Sequence, residues 1–316
     1  MTTVAVTPRG FRQTPGRHQD LLARTGFDVR YPTVERPLTA PELRELVQGC
    51  AGLILGVDDA PAETLNHTDL KVIVRFGVGI DNVDLTAARA NGIKVSRTLG
   101  ATTTSVAELA IGLMLAAARG TTEMDRTVRA GSWKRLTGLE LAGRTLGLVG
   151  TGRIGVEVAV RARAFGMQVI GYDPMSDAGA IPLVPLDELL RRADVISIHA
   201  PLTEQTRHLF NATTLAAMRP SSILVNTARG GIIDETALAG ALANGPLRAA
   251  ALDCFEDEPL DNSPLLDLPN VILTPHCGAS TVEAVERAGV IAVEEILRGL
   301  RGEPLLYEVT DRPLGG

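Results

Sequence analysis

The most informative stretch of the chain is Leu146-Gly147-Leu148-Val149-Gly150-Thr151-Gly152-Arg153-Ile154-Gly155. An apolar, strand-type run at 145–149 ends in three glycines with G-x-G-x-x-G spacing, and a helical segment at 156–165 follows. Gly150 allows a tight turn, Gly152 lets backbone approach a diphosphate, and Gly155 lets helix and strand pack closely. A diphosphate would then sit at a helix N-terminus, where free N–H groups and the helix dipole favour an anion. The spacing alone is a weak signal, but its context is stronger. The next strand-type run, 168–172, leads into Asp173, 18 residues past Gly155. A carboxylate there can accept a hydrogen bond from a ribose 2′-hydroxyl and would repel a 2′-phosphate, so NAD is expected over NADP. A purely structural glycine-rich turn is the plainer alternative, and the matching strand and acid weigh against it.

Similar patterns extend in both directions. Further strand-type runs lie at 3–6, 28–31, 52–55, 72–74 and 94–96, then at 195–199, 223–226, 248–252 and 271–273. Runs rich in Val, Ile and Leu separated by helix-length segments, such as 41–47 and 84–90, imply parallel strands buried on both faces. Two such blocks imply two α/β domains. Between them, Thr102 to Glu108 leads into an apolar helix ending near Arg119, with Ser105 and Glu108 at capping-box spacing. Residues 281–300 read as another helix.

Composition sets the outer bounds. The 316 residues fit two domains, and 45% apolar with 22% charged residues is globular. Six Phe, three Tyr and one Trp leave little for base stacking, and a net charge of −6 offers no broad footprint for nucleic acid or anionic membrane. Cys50, Cys254 and Cys277 form no C-x-x-C, so neither a disulfide framework nor a structural zinc site nor any metal cofactor is expected. The first residues lack a signal-peptide pattern and no apolar run reaches membrane-span length, so a cytoplasmic location is expected.

An enzyme using a nicotinamide must also move a proton, and His is the commonest carrier. His18 and His67 lie in polar stretches and are expected at the surface. His208 falls near a helix start. His199 and His276 both follow strand-type runs, where ligands bind in open parallel sheets, and local sequence barely separates them. Arg229 follows the 223–226 run and could clamp a carboxylate with two parallel hydrogen bonds. Acids follow the 248–252 run; Glu256 and Asp257 are expected to be solvated.

Together these motifs resemble the D-isomer-specific 2-hydroxyacid dehydrogenase family, with its phosphoglycerate dehydrogenase-like branch. The matching blocks are Arg75-Phe-Gly-Val-Gly-Ile-Asp-Asn-Val-Asp84, the Ser105-Val-Ala-Glu108 helix, Gly131-Ser-Trp133 and Gly150–Gly155. They continue with His199-Ala-Pro-Leu-Thr203, Asn226-Thr-Ala-Arg229-Gly, 253–259 and Thr274-Pro-His276-Cys-Gly278. The resemblance implies a Rossmann-type NAD domain at 100–281, inserted into a flavodoxin-like substrate domain made of 1–99 and 282–316. It implies a D-2-hydroxy acid and its 2-keto acid as substrates, 3-phosphoglycerate-like compounds included, and a homodimer built around the region after the 105–108 helix. His276 would be the acid/base, Glu258 its partner, and Arg229 the carboxylate anchor. Backbone N–H groups of Val78 and Gly79 would hold the same carboxylate, and Arg75 matches a basic position of that branch. Gly150, Gly152, Arg153, Ile154, Gly155, Asp173, His199, Pro201, Thr206, Thr227, Ala228, Asp253 and Gly278 would line the cofactor. Trp133 would lie near the site.

Some positions depart from the family pattern. Gly56-Val57-Asp58-Asp59 stands where phosphoglycerate-using relatives often carry Arg-Ser, and two acids facing a ligand would weaken phosphate binding. Thr102 replaces a common Asn. Cys277 follows the His where an apolar residue is usual and is expected to be a buried small residue. At this length the regulatory domains of longer phosphoglycerate dehydrogenases are not expected. An NAD(H)-sensing binding protein on the same fold, similar to transcriptional corepressors, is the main alternative, and a different Rossmann enzyme the other.

Overall fold

The structure is a computed structural model that describes residues 1–176 and 179–310. Residues 177–178 of the expected NAD domain, and the last six of the expected 282–316 return, lie outside the described residues. The chain divides into two compact units: Met1–Thr102 with the segment from Ala279 on, and Thr103–Gly278.

The first unit is a five-stranded, fully parallel sheet in the order β2-β1-β3-β4-β5, built from β1 (Thr3–Val6), β2 (Asp28–Arg30), β3 (Gly52–Leu55), β4 (Val72–Arg75) and β5 (Lys94–Arg97). Both faces are covered, so the inner strands carry continuous apolar runs. The helix Val282–Leu300 returns to this unit and lays Ala292, Val293 and Ile296 on Val4, Val6, Ile54, Val72 and Val74. Thr281 caps it, accepting from Ala284 N at 3.1 Å. His18 is a correction to the surface reading: it is fully buried, its Nε2 3.0 Å from Phe11 O and its ring edge-on to Phe11. His18 and Leu22 lie one helical turn apart on the inward face of Arg17–Ala23, and that i,i+4 stripe overrides the polar neighbours. His67 is exposed, as expected.

The second unit is a six-stranded parallel sheet in the order β11-β10-β9-β8-β6-β7. Its strands are β6 (Thr145–Val149), β7 (Gln168–Tyr172), β8 (Val195–Ile198), β9 (Ile223–Asn226), β10 (Ala249–Leu252) and β11 (Val271–Leu273). The strand order reverses beside β6, with β7 on one side and β8 on the other, which makes the carboxyl ends of β6 and β8 the ligand-binding switch point of such a sheet. The helix Thr103–Arg119 packs within this unit through Ala107, Ala110, Met114 and Ala118 against Leu146, Val225 and Ala251. It starts two residues before Ser105, so Ser105 lies inside the first turn rather than at the cap. The helix after the glycine turn spans Arg153–Ala164, three residues earlier than the apolar pattern indicates, because Gly152 is its N-cap. No helix of the described residues is long and apolar enough to cross a membrane.

Candidate active site

At the carboxyl end of β6, Gly150 has φ 93° and donates its N–H to Tyr172 O at 2.9 Å. A Cβ on Gly150 would lie 2.7 Å from Ala200 N, and one on Gly155 only 2.4 Å from Gly150 O, whereas Gly152 faces open space. Backbone is therefore bare where a diphosphate would approach the helix N-terminus. Asp173, after β7, accepts from Thr151 N at 2.8 Å and Thr151 Oγ1 at 3.2 Å through one oxygen and from Met175 N at 3.0 Å through the other. These bonds fix the carboxylate beside the turn.

Across the switch point, His199 donates its backbone N–H to Val149 O at 2.7 Å and lies against the glycine turn. Burial of its ring lowers its pKa to about 4, so it is neutral at ordinary pH. Nε2 lies 2.9 Å from Ser197 Oγ, while Nδ1, like Thr227 Oγ1, is a buried polar atom without a hydrogen-bond partner. Such orphans are costly in a finished interior, and a ligand at the carboxyl ends of β8 and β9 would satisfy them. Thr206 serves its own loop: its hydroxyl donates to Pro201 O at 2.7 Å. The bare glycine turn, the fixed Asp173 and the two orphans fit a dinucleotide.

The chemical centre forms where β9, β10 and β11 end. Asn226, fully buried, donates from Nδ2 to Arg229 O at 2.9 Å and accepts from Ala228 N at 3.0 Å, pinning the turn that carries Arg229. Arg229 Nη1 donates to Ala228 O at 2.7 Å. Asp253 is 1% exposed and grips the loop after β11. One oxygen accepts from Thr274 Oγ1 at 2.6 Å and Cys277 N at 2.9 Å, the other from Gly278 N at 2.8 Å. His276, held between those anchors at φ 47°, donates from Nδ1 to Glu258 Oε2 at 2.7 Å. Burial alone would raise the Glu258 pKa. The hydrogen bond and charge of His276, the Phe255 N–H at 3.0 Å and the Arg229 charge outweigh it, and the carboxyl lies below its ordinary value.

Arg229, Glu258 and His276 are thus brought to one place, with Nε2 of His276 left for other chemistry. Sequence reasoning missed the pinning role of Asn226; an amide at a strand end was its only signal. Glu256 is exposed but not merely solvated. It takes His208 Nε2 at 2.5 Å, and its N–H donates to Glu235 at 2.8 Å. Cys277 is half-buried, with its thiol 3.4 Å from Asp253 Oδ1. Trp133 is 80% exposed.

In the first unit, Arg75 ends β4 and donates to Asn82 Oδ1 at 3.3 Å and to Phe76 O. Val78 and Gly79 lie in the turn that follows, where Val78 O accepts from Arg97 at 3.4 Å. Asp58 does not face a ligand: it is 5% exposed and accepts from Leu38 N at 2.7 Å and from Thr7 Oγ1. Of the two acids after β3, only Asp59 is exposed.

Known proteins share this arrangement of sequence and fold. The family model described as D-isomer specific 2-hydroxyacid dehydrogenase, NAD binding domain, matches residues 111–278. A D-3-phosphoglycerate dehydrogenase of Methanocaldococcus jannaschii is 52% identical over 252 residues, 77% of this chain and 48% of that protein. The chain therefore spans about half the length of that relative. A hydroxypyruvate reductase of Thermotoga maritima is 50% identical over 239 residues, 73% of this chain and 78% of the relative. The solved TT0316 protein from Thermus thermophilus matches with a TM-score of 0.90 at 41% identity, covering 98% of this chain and 100% of that one.

Proposed function

Because the chain belongs to the D-isomer specific 2-hydroxyacid dehydrogenase family, we propose that it interconverts a D-2-hydroxy acid and its 2-keto acid with NAD. The observation that carries this reading is the 2.7 Å bond from His276 Nδ1 to Glu258 Oε2. It fixes the ring and leaves Nε2 as the only imidazole nitrogen able to exchange a proton with substrate. In reduction, His276 gives that proton to the C2 oxygen; in oxidation, it takes it back. Glu258 stabilises the charged ring. Arg229 binds the substrate carboxylate through two parallel N–H groups and stabilises charge developing on the C2 oxygen. Arg75 and the N–H groups of Val78 and Gly79 assist with the substrate, and their unit is the substrate domain. NAD(H), when bound, supplies or accepts the hydride. Gly150, Gly152, Arg153, Ile154, Gly155, Asp173, His199, Pro201, Thr206, Thr227, Ala228, Asp253 and Gly278 hold it.

A homodimer belongs to the same proposal. The helix Thr121–Arg129 buries no residue, and Val128, Trp133 and Leu136 stay 49%, 80% and 37% exposed, an apolar surface that a second copy would cover. Sedimentation of wild type and Trp133→Asp tests this; a wild-type monomer refutes it. Cys50, Cys254 and Cys277, each a thiol rather than half of a disulfide, suit a reducing, cytoplasmic setting.

Turnover is tested with hydroxypyruvate, glyoxylate and 3-phosphoglycerate, each with the matching cofactor form, followed at the nicotinamide absorbance. His276→Ala should abolish turnover and spare NAD binding. Retained kcat in that variant overturns the assignment.

A further inference from the structure

The acid/base pair has a third neighbour that the proposed reaction leaves unused. Cys254 follows Asp253 after β10, is 2% exposed, and its thiol donates to Ala228 O at 3.4 Å. One ligand atom from each of Cys254, Glu258 and His276 (a sulfur, a carboxylate oxygen and an imidazole nitrogen) lies within 4.8 Å of the other two. Ligands of tetrahedral zinc stand about 2.0–2.3 Å from the ion, hence about 3.3–3.7 Å from one another. The Glu258–His276 pair, now at 2.7 Å, would open by roughly 1 Å and the sulfur would close by at most about 1.5 Å. The bond to Ala228 O is weak, because a thiol is a weak donor. Outer bonds are already in place: Phe255 N–H orients the carboxylate at 3.0 Å, and Asp253 fixes the chain on either side of His276.

We propose that Cys254, Glu258 and His276 form an inhibitory site for a thiophilic divalent cation of the zinc type. Sulfur, nitrogen and a single oxygen suit zinc or cadmium; magnesium and calcium need more oxygen ligands than these residues offer. The Arg229 charge acting on Glu258 opposes a cation held by charge alone, so affinity comes from the bonds to sulfur and nitrogen. Coordination sends the thiol proton to solvent, moves the Nδ1 proton of His276 by way of water to Nε2, replaces the bond between His276 and Glu258, and leaves a fourth position for water. Its effect on turnover rests on the reading of His276 as acid/base; binding of the ion does not.

The test uses the full chain, stripped of metal with a chelator and titrated with Co2+ as a spectroscopic stand-in for Zn2+. The expected result is a near-ultraviolet thiolate-to-cobalt band, saturating at one ion per chain and displaced by Zn2+. Cys254→Ser should lose the band and Cys277→Ser keep it; Cys254→Ala replaces the serine variant if circular dichroism shows misfolding. The absence of a band at millimolar Co2+ overturns the proposal, as does a band that survives in Cys254→Ser and vanishes in Cys277→Ser. In turnover assays Zn2+ should inhibit wild type, chelator should restore it, and Cys254→Ser should need at least about tenfold more Zn2+. Equal sensitivity of the two proteins overturns the inhibitory role. If the chain turns over no 2-hydroxy or 2-keto acid, the reaction reading fails while the cobalt band still decides the site.

Discussion

Asp253→Asn changes one atom and should damage both stability and catalysis. Besides a weak one from the Cys277 thiol, the carboxylate accepts three hydrogen bonds, from Thr274 Oγ1 and Cys277 N on one oxygen and Gly278 N on the other, at 1% exposure. An amide has a single oxygen. If it keeps the first pair, its NH2 group faces the Gly278 N–H, donor against donor. An orphaned buried N–H costs about 1–3 kcal/mol, and each retained bond weakens by about 1 kcal/mol on losing its ionised acceptor. The sum is about 3–5 kcal/mol. For a unit the size of Thr103–Gly278, about 2–4 °C per kcal/mol gives a fall in Tm of roughly 10 °C. Catalysis should suffer separately, because the three bonds bracket His276. A displacement of about 1 Å can cost about a hundredfold in kcat. Calorimetry reads the first effect and steady-state turnover the second. A variant with Tm within about 2 °C of wild type and unchanged kcat would falsify the idea that this carboxylate holds the acid/base loop.

Three further outcomes are expected. Asp173→Ala should raise the NADP-to-NAD specificity ratio by about tenfold or more, since the fixed carboxylate repels a 2′-phosphate; an unchanged ratio counts against that role. His199, with its folded pKa lowered to about 4 by burial, stays neutral while the unfolded chain takes up a proton near about pH 6.5. Stability should therefore fall as pH drops between those values, by about 3 kcal/mol in all, and His199→Gln should flatten that slope in urea titrations; a parallel slope would sink the argument. Glu258 has the same sign of linkage at lower pH: its folded pKa is depressed, so its contribution is present above the ordinary Glu value of about 4.3 and lost as pH falls through the lower folded value. The stability difference between wild type and Glu258→Gln should close only in strongly acid solution, and a difference that vanishes already near neutrality would contradict the pairing.

What the sequence disclosed follows from the range over which each interaction acts. All eleven strands of the described residues were legible, most of them because a strand buried on both faces must be apolar throughout, which is a local property; that reason does not reach the edge strand β2, exposed at Asp28 and Arg30. The glycine turn was legible for a similar reason: a Cβ at Gly150 or Gly155 collides within a few residues or with the adjacent strand end. Boundaries set by a cap slipped, as with Gly152, since glycine carries no side chain to announce a cap. The site's chemistry was legible only through the resemblance, as His199 and His276 look alike locally. What separates them is distant. His199 is sealed beside the end of β6 at Val149, far off in sequence, whereas His276 meets a carboxylate 18 positions away. The same limit hid His18 under a helix from the far end of the chain, and turned Asp58 inward toward Thr7, 51 positions away. A polar residue's neighbours in sequence describe its solvent only when its partners are near in sequence too. Asp253 carries the point furthest: from local sequence it is one acid among several in Asp253-Cys254-Phe255-Glu256-Asp257-Glu258, and only partners 21 to 25 positions away make it the residue that places His276.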